Sequence, residues 1–166
     1  RAGGDDLLGD AYEYLMMHFA TESGKSKGQF YTPAEVSRIL AAVLEADPEK
    51  EGQTIYDPTC GSGSLLLKVG DVIDQEVSLY GQEKDVSTAA LAQMNMILHG
   101  SPTAEVARGN STLAKPEFTD QNGGLKKFDY VVANPPFSLK NWTNGFDPEN
   151  DLFGRFDGFG VPPQKN

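Results

Sequence analysis

TIYDPTCGSGSLLLKVGDVI, residues 54–73, joins a short β-branched run, a turn with two glycines and a strongly apolar segment. The first part predicts a strand over Thr54 to Tyr56, and the last predicts a helix from about Ser64 to Ile73. Glycines in the turn let the backbone approach a ligand, and the helix N-terminus offers free N–H groups. An ordinary tight turn explains the glycines equally well, and the spacing of a phosphate-binding P-loop is absent.

The alternation of strand and helix continues beyond this stretch. Strands are predicted at Val77 to Tyr80, at Glu105 to Arg108 and at Tyr130 to Ala133, and a helix at about Val86 to Leu98. The segment from Gly109 to Phe128 is expected to hold at most a short helix. Strand–helix–strand units imply a mostly parallel sheet with helices on its faces, so the predicted fold class is α/β.

Two further helices are predicted before the glycine turn. The helical spacing of apolar residues indicates one helix over Leu7 to Phe19. Thr32 is the expected N-cap of the second helix, with Pro33 as its first residue and Glu35 completing a capping box. The apolar stripe of this second helix consists of Val36, Ile39, Leu40, Val43 and Leu44.

The composition bounds the class of protein. The chain has 166 residues, with 14 Lys and Arg against 24 Asp and Glu and a formal charge of −10. This length suits one domain with a buried core, and a single cysteine excludes an internal disulfide and suits a reducing compartment. No stretch approaches the roughly 18 apolar residues of a membrane span, and the acidic N-terminus argues against secretion. We therefore expect a cytoplasmic protein with no membrane partner.

The negative charge restricts any role on nucleic acid. Phosphate contacts need Lys and Arg, so a chain at −10 lacks the basic surface to hold DNA alone. If the protein acts on DNA, the basic surface must lie in further sequence or on a partner. The acidity taken alone indicates only solubility.

Carboxylates follow the first two predicted strands. Asp57 stands at the end of the first strand, where it can accept the ammonium group of a ligand. Glu83 lies just after the second strand, about 20 residues beyond the glycine turn, where nucleotide-binding α/β folds bind ribose hydroxyls. The pair fits either a dinucleotide or an adenosine-containing methyl donor.

The tetrapeptide Asn134-Pro135-Pro136-Phe137 follows the fourth predicted strand and favours the methyl donor. Two prolines remove two N–H donors, so the peptide carbonyls and the Asn134 amide oxygen present acceptors. Two acceptors that hold the protons of an exocyclic amino group favour its attack on an electrophilic methyl group. Phe137 offers a face on which a base flipped out of the duplex can stack. A proline-rich turn is the alternative, and the first two features in the same sheet count against it.

The sequence resembles the N6-adenine DNA methyltransferases, and more narrowly the modification (methylase) subunit of type I restriction-modification systems. LGDAYEYLMMHFA followed by GKSKGQFYTP resembles the entry to that family's catalytic domain, and RFDGFGVPP resembles the segment after its NPPF motif. GQFYTP together with DPTCGSG is much more specific than NPPF, which other amino-methyltransferases share. The resemblance implies a Rossmann-like, three-layer α/β fold, S-adenosylmethionine as cofactor and a flipped adenine in double-stranded DNA as substrate.

The resemblance also implies roles for individual residues. The catalytic residues are Asn134, Pro135, Pro136 and Phe137. The cofactor-binding residues are Gln29, Phe30, Tyr31, Thr32, Pro33, Asp57, Gly61, Ser62, Gly63, Ser64, Glu83 and Asn110. In that set, residues 29–33 line the methionine end and Asp57 with residues 61–64 holds the amino acid portion. Glu83 binds the ribose, and Asn110 contacts the adenine at a position where many related enzymes have Asp.

The family's full subunit is longer, with N-terminal helices, further strands and a C-terminal partner-binding region. The sequence is therefore interpreted as a fragment, truncated after the fourth strand. Residues 1–28 form an N-terminal helical lead-in, and residues 29–166 form the N-terminal part of the catalytic domain. Damaged cofactor binding and lost turnover are expected of the fragment by itself. The implied partners are a specificity subunit that reads the DNA and a restriction subunit, in a bacterial or archaeal cytoplasm.

Two alternative functions remain open. A protein glutamine amide methyltransferase would use the same cofactor, because the Asn-Pro-Pro motif suits any planar amino group. An inactive structural or assembly module would suit an incomplete sheet and an acidic surface.

Other reactive residues are interpreted as structural. Cys60 is expected to pack in the turn, because no activating partner is evident, and His18 and His99 lack metal-ligand spacing. Residues 138–166 show neither helix nor strand periodicity and are interpreted as a long loop rich in aromatic residues. Its Trp142 and phenylalanines either face DNA or pack together.

Overall fold

A four-stranded parallel sheet with helices packed on it forms the centre of the molecule. The structure, a computed structural model, describes residues 14, 15, 18, 32, 34–44, 49–73, 76–136 and 139–163. In chain order the elements are α1 (Ala34–Val43), β1 (Thr54–Asp57), α2 (Ser64–Ile73), β2 (Ser78–Glu83), α3 (Val86–Leu98), β3 (Glu105–Arg108), β4 (Tyr130–Val131) and a 3-10 helix (Pro148–Asn150). The strand order is β3-β2-β1-β4 and every pairing is parallel, which confirms the predicted α/β class.

Strand register divides the sheet into two faces. Ile55 pairs with Leu79 and both are buried in the core, whereas their neighbours Tyr56 and Tyr80 point to the opposite face. The connections from β1 to β2 and from β2 to β3 step in one direction, so right-handed crossovers place α2 and α3 together on the Ile55 face. The buried apolar residues of α2 are Leu65, Leu66, Leu67, Val69 and Ile73.

Aromatic rings take the place of a helix on the opposite face. Tyr56 stacks on Phe128 with ring centroids 4.6 Å apart, and Phe118 meets both Tyr56 and Tyr80 edge to face. The Lys126 ammonium group lies 3.7 Å from the centre of the Tyr80 ring. No helix occurs in the fully described segment 109–129, where turns and one antiparallel bridge replace the short helix that the sequence allowed. Pro116 and the Gly123-Gly124 pair oppose helix formation there.

Helix α1 packs against α2 by a face that the sequence did not single out. Ser37 and Ala41 are fully buried, and Leu40 and Leu44 are half-buried against the core. The other members of the predicted stripe, which are Val36, Ile39 and Val43, are exposed. Small side chains at the contact let the two helices approach closely, so the predicted stripe was only partly right.

The limits of several predicted elements are confirmed, and three strands differ in length. Helices α2 and α3 and strand β3 have the predicted limits. Strand β1 continues to Asp57, and β4 ends at Val131 instead of Ala133. Strand β2 covers Ser78–Glu83 instead of the predicted Val77 to Tyr80. Most of the helix predicted over Leu7 to Phe19 lies outside the described residues.

The described tail, residues 139–163, consists of turns and the 3-10 helix. The rings of Trp142, Phe146 and Phe156 lie about 6 Å apart in one cluster, so these aromatic residues pack on one another. Across the ranges that the structure describes, we find no helix with the length and apolar character needed to span a bilayer.

Candidate functional site

The predicted site residues converge because parallel strands end at one edge of the sheet. Asp57 is the last residue of β1 and Glu83 is the last residue of β2. Asn110 follows β3 by two residues, and Asn134 follows β4 by three. In open α/β sheets this edge is where ligands bind. Sequence motifs that are far apart along the chain therefore form one candidate site.

The glycine turn is buried and closely packed. All four residues from Gly61 to Ser64 are buried, and the Gly63 carbonyl accepts from the Leu67 amide at 3.1 Å to start α2. Gly63 has φ +79°, and a Cβ atom there would lie 2.5 Å from the terminal carbon of Met96. The backbone conformation favours glycine at this position, and any side chain there would require the end of Met96 to move.

Helix α3 fixes the turn from outside. The buried Asn95 side-chain amide donates to the Ser62 carbonyl at 2.9 Å. The Ser62 and Ser64 hydroxyls are 2.9 Å apart and form a hydrogen bond. The turn is thus held by side chains that leave its shape little freedom.

Asp57 is a buried carboxyl group at the centre of this edge. Its side chain is 2% exposed, and its Oδ1 accepts from the Thr59 amide at 2.9 Å. Burial, assisted by the nearby negative charge of Glu83, raises the pKa of Asp57 to about 7 despite the hydrogen bonds from Thr59. A ligand that brings a positive charge would favour the ionised form.

Glu83 bridges the glycine turn and the start of α3. Its Oε2 accepts from the Gly61 amide at 3.1 Å, and its Oε1 accepts from the Asp85 amide at 2.8 Å. The residue is half-buried. The sequence placed Glu83 near the turn but did not predict this direct link to it.

Asn110 begins a loop, residues 110–117, that crosses the ends of the strands. Its side-chain amide donates to Glu117 Oε1 at 2.8 Å. The loop reaches the start of the glycine turn, because the Thr112 hydroxyl donates to the Pro58 carbonyl at 2.6 Å.

Sequence reasoning missed the side chains that support this loop, Gln82 and Arg155. A polar residue inside a buried strand was the available signal for Gln82, since such residues need hydrogen-bond partners.

Asn134 is joined to the segment that precedes α1. Its side-chain nitrogen donates to the hydroxyl of the buried Thr32 at 3.3 Å, across 102 residues of sequence. The amide oxygen then points away from that nitrogen, where it can accept from a ligand. Asn134 and Pro136 are half-buried and Pro135 is exposed. The other predicted residues of the two motifs, which are Gln29, Phe30, Tyr31, Pro33 and Phe137, lie outside the described residues.

Cys60 does not have the properties of a nucleophile. The thiol is buried beside Gly81, where a Cβ atom would lie 2.8 Å from the sulfur. Burial, with the negative charges of Asp57 and Glu83, raises the pKa of the Cys60 thiol well above its ordinary value. These properties agree with the packing role expected from the sequence.

These residues fit S-adenosylmethionine by the chemistry of their donor and acceptor groups. A buried carboxyl group with a raised pKa suits the cofactor's ammonium group, and a half-buried carboxylate suits the ribose hydroxyls. The N-terminus of α2 suits its carboxylate, and within the turn the Gly61 and Gly63 amides already donate to Glu83 and to the Cys60 carbonyl.

Comparison with known proteins agrees with this geometry. The family model described as N-6 DNA Methylase matches residues 3–166. The chain is 34% identical to the MjaVII type I restriction enzyme methylase subunit of Methanocaldococcus jannaschii, over 97% of this chain and 28% of that protein.

Solved structures give the same result. The type I restriction-modification system methyltransferase subunit from Streptococcus thermophilus is 42% identical, with a TM-score of 0.69 over 84% of this chain and 29% of that chain. A Listeria monocytogenes protein assigned to the class I S-adenosylmethionine-dependent methyltransferases is 20% identical, with a TM-score of 0.59 over 75% of this chain and 37% of that chain, and shows the fold alone.

The chain spans between 25% and 35% of the length of the first curated relatives that it matches. The fold is the Rossmann-like fold of S-adenosylmethionine-dependent methyltransferases, as predicted. The resemblance to type I methylase subunits is likewise confirmed. The chain belongs to the N-6 DNA methylase family.

Proposed function

We propose that the protein containing this chain transfers a methyl group from S-adenosylmethionine to the N6 amino group of adenine in double-stranded DNA. The observation that carries the proposal is the position of Asn134, with its amide nitrogen bonded to Thr32, at the same edge of the sheet as the buried glycine turn, Asp57 and Glu83. The relatives named as type I methylase subunits support the same reaction.

The cofactor roles follow the order of strands along the sheet edge. When bound, the cofactor supplies an electrophilic methyl group. Asp57 and residues 61–64 would hold its amino acid portion, and residues 29–33 would line its methionine end. Glu83 would accept from the ribose hydroxyls, and Asn110 would contact the adenine.

The substrate roles belong to the NPPF motif, residues 134–137. The Asn134 side-chain oxygen and the Pro135 carbonyl would accept the two N6 protons of the flipped adenine, and Phe137 would stack on its ring. The amino lone pair would then be directed at the methyl group that the bound cofactor would supply, with the cofactor's thioether as the leaving group and water taking one N6 proton. Alignment of donor and acceptor supplies much of the rate enhancement, without a covalent enzyme intermediate.

Other subunits are proposed to bind and read the DNA. A formal charge of −10 argues against this chain supplying the grip on DNA phosphates. A specificity subunit would read the sequence and a restriction subunit would join the complex, in the cytoplasm of a bacterium or archaeon. Residues 1–28 would lead into a catalytic domain that begins at residue 29.

Calorimetric titration of the intact subunit with S-adenosylmethionine tests the cofactor, with NAD as the control ligand. Binding of S-adenosylmethionine alone is expected, and Glu83→Ala should weaken it about tenfold or more because the ribose loses its charged acceptor. Absence of binding to the intact subunit would contradict the proposal.

Methylation assays on duplex DNA and on protein substrates test the acceptor. With the specificity subunit present, N6-methyladenine is the expected product. Methylated glutamine in place of methylated adenine would show that the enzyme acts on proteins. The absence of any methylated product would favour an inactive assembly module.

A further inference from the structure

The buried side chain of Gln82 is bonded to one loop by both ends of its amide. Gln82 is fully buried in β2, one residue before Glu83. Its Nε2 donates to the Asn110 carbonyl at 3.1 Å and to the Lys115 carbonyl at 2.7 Å. Its Oε1 accepts from the Glu117 amide at 3.1 Å. Three hydrogen bonds from one side chain thus fix the two ends of loop 110–117.

Arg155 supports the middle of the same loop from the tail. Its guanidinium donates to the Thr112 carbonyl at 2.9 Å and to the Leu113 carbonyl at 2.8 Å. Asp151 holds the guanidinium in place through two bonds of 2.9 and 2.7 Å, and the Asp151 side chain is 5% exposed. The Arg155 hydrogen bond is the main reason that the pKa of Asp151 falls to about 2. The fork geometry of arginine suits two adjacent carbonyl groups, which lysine cannot bridge in the same way.

The supported loop lies where the adenine of the cofactor is proposed to bind. Its first residue, Asn110, follows β3, and β3 pairs with β2 so that Arg108 lies opposite Glu83. The Gly109 amide donates to the Glu83 carbonyl at 3.1 Å, which joins the loop's start to the proposed ribose site. A nucleoside held by Glu83 would therefore place its base against this loop.

We propose that Gln82 and Arg155 are positioning residues that hold loop 110–117 in the shape needed by the adenine of the cofactor before it binds. The inference rests on the proposed function. Neither residue needs to touch the cofactor. A loop that is already ordered loses less conformational entropy on binding. Gln82 and Arg155 should therefore raise the affinity for the cofactor without changing the rate of methyl transfer.

Replacement of Gln82 by methionine tests the first support in the intact subunit with its specificity subunit and DNA. Methionine has a similar length but neither donates nor accepts for the loop. We expect the Kd and the KM for S-adenosylmethionine to rise about tenfold, with kcat and DNA affinity close to those of the wild type. Gln93→Met is the matched control, because Gln93 on α3 donates one bond to the Ala104 carbonyl, away from the loop. This control should keep wild-type affinity.

Methylthioadenosine, which lacks the amino acid portion, locates the effect. Gln82→Met should weaken its binding by the same factor as that of S-adenosylmethionine, because the loss occurs at the adenine end. A larger loss for S-adenosylmethionine would mean that the glycine turn is disturbed as well, and would overturn the assignment to the loop.

Arg155→Lys tests the second support independently, and carries the test if Gln82→Met fails to fold. It keeps the charge but loses the fork to the two carbonyl groups, so a several-fold rise in KM for S-adenosylmethionine with unchanged kcat is expected. Arg38→Lys, at an exposed position of α1, is its control. Unchanged affinity, or a fall in kcat at unchanged affinity, overturns the inference. A wild-type subunit that does not bind S-adenosylmethionine overturns the proposed function instead.

Discussion

The two ends of the candidate site are constructed differently. At the cofactor end, residues 61–64 are buried and Glu83, Gln82 and Asn95 tie the surrounding backbone together. At the substrate end, Pro135 is exposed, and within the described residues the Asn134 side chain makes one hydrogen bond, to Thr32. The proposed cofactor end is therefore held by internal hydrogen bonds, whereas the proposed substrate end is more exposed.

The difference matches what each end is proposed to bind. A small cofactor gains affinity from a pocket that already has the right shape, because less order must be created on binding. A flipped base arrives attached to a duplex and needs an accessible entrance. Substitutions at the cofactor end should therefore change stability and affinity, whereas substitutions at the substrate end should change turnover.

The largest effect is expected from Asn134→Ala. Loss of an acceptor for the N6 protons should lower kcat about a hundredfold or more, by analogy with the removal of one preorganised hydrogen-bonding group at other active sites. Affinity for S-adenosylmethionine should stay near the wild-type value. Single-turnover methylation of duplex DNA and calorimetry measure the two quantities. Asn122→Ala, in an exposed turn, is the control, and equal losses in kcat and cofactor affinity would show that the two ends are not separate.

The close packing of the cofactor end predicts the next effect, from Gly63→Ala. Both Gly63 and Gly52 have positive φ, at +79° and +66°, so alanine strains the backbone at either position by about 1 kcal/mol. At Gly63 the added carbon also overlaps Met96, whereas at Gly52 nothing lies within 4 Å. We expect Gly63→Ala to destabilise the fold by a further 1–3 kcal/mol, approximately, and to weaken cofactor binding.

Hydrogen exchange of the α2 amides in the intact subunit measures this difference, with Gly52→Ala as the paired variant. Exchange is expected to be faster in Gly63→Ala than in Gly52→Ala. Similar exchange in the two variants would mean that Met96 moves aside without cost.

The sequence predicted much of the architecture because its signals are local. Helix α3 ends where predicted because His99-Gly100 follows, and Gly100 adopts φ +77°. The strands and the glycine turn carry patterns within a few residues of themselves. These patterns also placed Asp57, Glu83 and Asn134 at one edge, since parallel strands share that edge.

Other features depend on contacts that no local pattern encodes. The buried face of α1 is set by its fit to α2, which favours Ser37 and Ala41 over the larger apolar residues. The contacts of Gln82 reach as far as residue 117, and those of Arg155 reach back more than 40 positions, to Thr112 and Leu113. Resemblance to a family named the residues proposed to bind the cofactor, whereas the residues that support them became visible only in three dimensions.

A smaller effect is expected from pH, through Asp57. Its pKa of about 7 means that the carboxyl group is mostly protonated below that pH, whereas the cofactor's ammonium group favours the ionised form. Binding must then release a proton, so affinity for S-adenosylmethionine should fall as pH decreases below 7, by about tenfold per pH unit at most. Calorimetry between about pH 5.5 and 7.5 keeps the cofactor's own amino group mostly charged.

Asp57→Asn serves as the control for this pH dependence. It should bind S-adenosylmethionine weakly with a nearly flat profile over the same range. A wild-type profile that is also flat would show that Asp57 is ionised in the free protein, or that it does not meet the ammonium group.

The smallest effect is expected from Thr32→Val, which removes the hydroxyl that accepts from Asn134. Without it the amide of Asn134 is free to rotate, so its oxygen faces the substrate for less of the time. A hydrogen bond of this kind contributes about 1 kcal/mol, which corresponds to a fall in kcat of about fivefold. Thr32→Ser keeps the hydroxyl and should restore kcat. If Thr32 acts instead on the methionine end of the cofactor, Thr32→Val will raise the KM for S-adenosylmethionine and leave kcat unchanged.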